Sequence, residues 1–121
     1  TTTSTSLVDL TGASISITTL ARRAQIGFTA EVSNDTALAY VALNLDVDGT
    51  LLLGSDGLRR QNPATTGGIS QNGGMTALTS VLTAAAHTFK VRWLVGSGTG
   101  TVRGNATNSY HFWAYETMAV A

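Results

Sequence analysis

The 121-residue chain has no cysteine, which excludes disulfides, thiolate nucleophiles and Cys-ligated zinc. Proline occurs once, at Pro63. Charge is also scarce, and the 7 basic and 7 acidic residues cancel. The chain therefore lacks the electrostatic footprint that nucleic acid or an anionic membrane surface would require, and neither partner is expected. No apolar run reaches the ~18 residues that would suggest a membrane span. The opening Thr1-Thr2-Thr3-Ser4-Thr5-Ser6 lacks the basic and apolar segments of a secretion signal.

Small and β-branched residues are abundant instead: 20 Thr, 10 Ser and 13 Gly. Leu, Ile, Val and Phe number 29, enough for one modest core at a length usual for a single domain. No stretch sustains apolar residues at helical spacing between caps, whereas period-2 alternation recurs. Ala13 to Leu20 alternates, and Gln25 to Ser33 places Ile26, Phe28, Ala30 and Val32 on one face. Leu38 to Asp48 carries Ala39, Val41, Leu43, Leu45 and Val47 on one side and Tyr40, Ala42, Asn44, Asp46 and Asp48 on the other. Short strands are expected over Thr50 to Leu53, Leu58 to Gln61 and Met75 to Leu82, with one long loop from Asn62 to Gly74. His87 to Val95 alternates again, and a Gly-rich turn leads to Thr101-Val102-Arg103.

The last predicted strand, Ser109 to Met118, has Tyr110, Phe112 and Ala114 on one side and His111, Trp113 and Tyr115 on the other. An ordinary antiparallel strand is apolar on one face only. A second apolar face predicts a partner, and self-association is the default. The arrangement reads as an all-β, two-sheet antiparallel sandwich of about eight short strands. Residues 1–12 form an extended Thr/Ser-rich arm and residues 13–121 a single domain.

Three segments carry a resemblance: the alternating run that closes on Asp46-Val47-Asp48-Gly49, the sequence His87-Thr88-Phe89-Lys90-Val91-Arg92-Trp93 before its Gly-rich turn, and the aromatic terminal strand. Together they resemble the jelly-roll domains of phage virion proteins, which are similar to the trimeric globular heads of the tumour-necrosis-factor and complement type. The resemblance runs from about Ile15 to Glu116. It implies a non-enzymatic homotrimer on the virion surface, with Tyr40, His111, Trp113 and Tyr115 at the trimer interface. With so short an arm, the expected role is a capsid decoration (cement) protein whose Thr1, Thr2, Thr3, Ser4, Thr5 and Ser6 touch the major capsid protein or another virion protein. The alternatives are a receptor-binding tip that holds host surface glycan and a carbohydrate-binding module.

Catalytic and metal signals are weak, and no cofactor is expected. His87 reads as a structural histidine, and His111 as a packed interface residue that could meet its copies on a three-fold axis. Asp46-Val47-Asp48-Gly49 opens like a calcium loop, but the twelfth position is Gly57 instead of the bidentate Glu an EF-hand needs. A small oxygen-ligand calcium site at that turn is the remaining option. No Gly-x-Ser-x-Gly elbow occurs. The pairing of Glu31 with Glu116 has no supporting spacing, and Gly96 to Gly100 lacks the Lys of a phosphate loop. Asn34-Asp35-Thr36 and Asn105-Ala106-Thr107 are formal glycosylation sequons that read as turns. Trp93, Trp113, Tyr40 and Tyr115 could stack sugars. The alternative places Trp93 in the core and the others at the interface.

Overall fold

A computed structural model describes residues 1–104, 107 and 109–118, and these form β-strands without any helix. The strands are β1 (Val8–Thr18), β2 (Ala24–Thr29), β3 (Glu31–Asn34), β4 (Tyr40–Val47), β5 (Thr50–Leu51), β6 (Leu58–Gln61), β7 (Gln71–Asn72), β8 (Met75–Leu78), β9 (Ala86–Val95), β10 (Gly100–Val102) and β11 (His111–Glu116). All ladders are antiparallel. One sheet has the order β1-β9-β4-β5, with β6 also on β4; the others are β10-β3-β7 and β11-β2-β8.

Alternation explains the best-formed strands. Phe89, Val91, Trp93 and Val95 of β9 point inward beside Val41, Leu43, Leu45 and Val47 of β4. Ile26, Phe28 and Val32 of β2 and β3 belong to the same core, so the sheets enclose one apolar interior. Full burial of each large side chain there contributes roughly 1.5–3 kcal/mol. Phe28 also gathers Tyr110 and Phe112, at centroid distances of 5.6 and 6.4 Å.

Several boundaries differ from the expectation. The first strand starts at Val8, within the expected arm, because a register shift between Asp9 and Ser14 absorbs the irregular stretch. Gly12 sits in that shift with φ +83°, a conformation that suits a residue without Cβ. The expected Gln25 to Ser33 strand is broken at Ala30, whose carbonyl accepts from Gly73 N at 2.8 Å. Opposite it, Gly73 and Gly74 interrupt β7 and β8. A Cβ on Gly73 would lie 2.8 Å from Leu43 Cδ1 and 2.9 Å from Val32 Cγ1, so the backbone itself fills the core there. The expected long loop thus contains a strand, β7. β7 pairs with β3, and the start of the loop is tied down by Asn62, whose Nδ2 donates to the carbonyls of Asn34 (2.7 Å) and Thr36 (2.8 Å).

The second face of β4 is covered by its own chain. Asn44 is fully buried, donating to Gly54 O at 2.6 Å and accepting from Leu53 N at 3.1 Å. Residues 52–57 are thereby folded over the strand, and the buried Ala42 and Asp46 need no partner molecule to cover them.

Candidate functional site

The outward face of β11, β2 and β8 is the chief unclaimed apolar surface among the described residues. Phe112 and Ala114 turn toward the core, so alternation sends His111, Trp113 and Tyr115 outward. The register sets three rows across the sheet: Tyr115–Gln25–Leu78, Trp113–Gly27–Thr76 and, at the Ala30 break, His111–Thr29. Trp113 covers Gly27, where a Cβ would overlap the indole. Its ring stacks on Tyr115 with centroids 5.6 Å apart and planes 17° from parallel. Trp113 is 37% exposed and Tyr115 57%, with Leu78 at 48%. Within one chain the terminal strand therefore has an apolar face open to solvent, the face for which the sequence predicted a partner.

Two depressions lie beside this stack. One, of about 380 Å³, is lined by Phe28, Thr29, Gly74, Met75, Thr76 and Trp113. The other, of about 500 Å³, lies at the Ala30 break and includes Glu31, Gln71, Asn72, Ser109 and His111 in its lining. Thr29 borders both.

The four residues expected at a trimer interface do not share one surface. His111, Trp113 and Tyr115 are together, whereas Tyr40 starts β4 and, alternating with the core residue Val41, lies on the outer side of the five-stranded sheet. There its ring has the Arg59 guanidinium 4.4 Å above it and packs so closely on Gly96 that no Cβ would fit. Trp93 is a core residue, 3% exposed. The expected capsid-binding residues Thr1 to Ser6 lie along the domain. Thr2 exchanges two backbone hydrogen bonds with Gly100 (2.9 and 2.8 Å), and Ser4 O accepts from Val95 N at 2.9 Å.

The Asp46 to Gly49 turn is occupied by protein contacts. Asp46 Oδ1 accepts from Gly49 N at 2.9 Å, while Oδ2 has no hydrogen bond and faces Arg92 Nη1 at 3.9 Å. Asp48, at φ +51°, accepts from Thr88 N (2.8 Å) and pairs with His87 Nδ1 (2.5 Å). The hydrogen bond to Asp48, joined by that to the Thr83 carbonyl (3.0 Å), raises the pKa of His87 above its usual value, and His87 correspondingly lowers that of Asp48. The contacts of His87 are thus structural. Glu31 pairs with Arg103 at 2.7 Å, and Glu116 accepts from Leu20 N. The two glutamates are committed to separate partners.

At the first sequon, Asn34 is 1% exposed, with its Nδ2 donating to Ser97 O (2.9 Å) and Tyr40 O (3.3 Å). This amide is a buried tie between segments. Asn105 and Ala106 of the second sequon lie outside the described residues. Sequence reasoning missed the buried asparagines and the Ala30 depression, since neither follows from an apolar pattern. The chain matches no family model, no curated protein sequence and no solved structure.

Proposed function

We propose that this chain is a non-enzymatic structural protein of a bacteriophage particle: a jelly-roll domain, similar to tumour-necrosis-factor-type heads, that forms a homotrimer and decorates the capsid surface. The observation that carries the reading is the Trp113–Tyr115 stack, which lies open beside Leu78 although the core closes without it. Exposed aromatic rings on a flat sheet face are typical of the centre of a protein interface. Copies of one chain most often cover such a face in a closed ring.

The strand order supports the jelly-roll description. The connections β1 to β2, β3 to β4, β6 to β7, β8 to β9 and β9 to β10 each join the five-stranded sheet to a three-stranded one. Strands that neighbour each other in a sheet are thus mostly distant in sequence, as in Greek-key sandwiches. The even balance of charge suits packing against copies and a shell.

Native mass tests the assembly. The wild-type chain is expected at three times its 12.5 kDa mass. Trp113→Ala is expected to weaken the trimer by ~2–4 kcal/mol, the usual effect of truncating a central interface aromatic, or roughly 30- to 1000-fold in its dissociation constant. A wild-type chain that runs as a monomer overturns the assembly. In purified particles a decoration protein is present in many copies spread over the shell; a few copies at one vertex or tail tip overturns the decoration role.

A further inference from the structure

We infer that the depression at the Ala30 break is a binding site for a neutral saccharide. The proposal goes beyond the assembly reading and stands independently of it. The depression is open to solvent and offers about 500 Å³, within the size range of small-molecule sites. Its lining combines apolar surface, Ala30 included, with hydrogen-bonding groups that are unused among the described residues. The hydroxyls of Thr29, Ser70 and Ser109 and the imidazole of His111 have no hydrogen-bond partner among the described residues.

Two further groups are held in place with one end spent and the other available. Asn72 Oδ1 accepts from Gly74 N at 2.7 Å, which fixes the amide and leaves its NH₂ group without a partner among the described residues. Gln71 Nε2 donates to Gln61 O (3.2 Å) and Asn62 Oδ1 (3.3 Å), leaving Oε1 as an acceptor. Such a fixed mixture of donors and acceptors fits a polyol, because each sugar hydroxyl can both donate and accept. Pre-set groups also lower the ordering cost of binding.

Charge narrows the class. The one carboxylate in the lining, Glu31, is neutralised by Arg103 at 2.7 Å. Arg60, nearby, directs Nε to the Asn72 carbonyl at 2.6 Å and is not part of the lining. An anionic ligand therefore finds no free cation in the depression, and a cationic one finds no free carboxylate. The site lies where the sheet of the Trp113–Tyr115 stack, through Thr29 and His111, meets the β10-β3-β7 sheet, through Glu31, Gln71 and Asn72, which places His111 with the ligand instead of with the copy interface.

The test is an amide chemical-shift titration of the full chain with cellotriose, mannotriose and chitotriose, and with the anionic 3′-sialyllactose. At least one neutral trisaccharide is expected to shift Thr29, Asn72 and His111 with a dissociation constant of ~0.1–10 mM. His111→Ala, at an exposed side chain with no hydrogen-bond partner among the described residues, is expected to weaken that binding ~10-fold or more while native mass stays unchanged. The proposal is overturned if no neutral sugar shifts the site at ~10 mM, if the shifts fall elsewhere, if only sialyllactose binds, or if His111→Ala leaves affinity unaltered. A monomeric chain that still binds the sugar removes the assembly reading and leaves this one standing.

Discussion

Replacing Asn34 with Ala tests whether a buried polar tie, more than apolar packing, holds the strand ends in place. Asn34 is 1% exposed at the end of β3. Its side chain donates to Ser97 O at 2.9 Å and Tyr40 O at 3.3 Å, and accepts from Thr36 N at 2.9 Å. Tyr40 O also accepts from Gly96 N at 3.1 Å, so it keeps a partner in the variant. Ser97 O and Thr36 N lose theirs, though both residues are exposed enough for water to replace part of the loss. Two hydrogen bonds at ~1 kcal/mol net each, with partial desolvation of the freed groups, give about 2–3 kcal/mol. For a domain of this size that lowers the melting temperature by ~10 °C. Urea denaturation followed by tryptophan fluorescence measures it, with an unchanged m value expected. Asn34→Asp places an acceptor where Ser97 and Tyr40 already present carbonyl oxygens, and should destabilise more than Ala. A loss below ~1 kcal/mol, or an Asp variant as stable as wild type, would refute the reasoning.

The His87–Asp48 pair gives a pH window. His87 is raised from the ordinary 6.5 by Asp48, so its contribution is complete below that value and fades as pH climbs through the raised pKa. Asp48 is lowered from 3.8, chiefly by its hydrogen bond to His87, so its contribution holds above 3.8 and is lost on acidification through the lowered pKa. Melting temperature followed against pH should plateau between 3.8 and 6.5 in its dependence on this pair, and His87→Gln should flatten the alkaline decline; an unchanged decline counts against the pairing. Gly27→Ala should lift the indole off β2, red-shifting and broadening Trp emission; an unmoved spectrum means that Trp113 does not lie on Gly27. Asn44→Ala should cost ~2 kcal/mol and increase protease cleavage within residues 53–57, because Leu53 and Gly54 lose their bonds to β4 while Leu52 N keeps its bond to Leu45 O. Gly73→Val should cost at least ~1–3 kcal/mol by overpacking Leu43 and Val32, as read by urea midpoint.

Much of the all-β organisation was legible because the sequences of β4 and β9 alternate strictly: Phe89 to Val95 bury every second residue, while Val41 to Val47 are buried on both faces, the apolar one by the core and the other by the chain that folds over it. The same signal failed at β11. With Tyr110, Phe112 and Ala114 on one side and His111, Trp113 and Tyr115 on the other, periodicity could not say which side meets the core. Phe28 decides it by gathering Tyr110 and Phe112. Alternation also continues through Ala30, so the break there was hidden; it arises from the facing Gly73 and Gly74, far along the chain. The cover on β4 depends on one asparagine and a turn, and neither leaves a periodic trace. Tyr40 stands on the second face of its strand as Trp113 does on the second face of β11, but these strands belong to different sheets, and alternation along one strand carries no information on how two sheets face.

The attachment of Thr2 and Ser4 to Gly100 and Val95 changes what a role for the arm would involve. Backbone groups of residues 1–6 that met a shell protein would first have to leave three hydrogen bonds within their own domain, so capture by the shell would be an exchange of partners and not a gain of new ones. The net affinity from such an exchange is small, and it grows only with side-chain contacts or with the number of arms engaged at once. If the proposed trimer forms on a shell, its three weak grips would let it release and re-seat one arm at a time without letting go. The amides of Val95 and Gly100 would report each release, by exchanging with solvent whenever the arm departs.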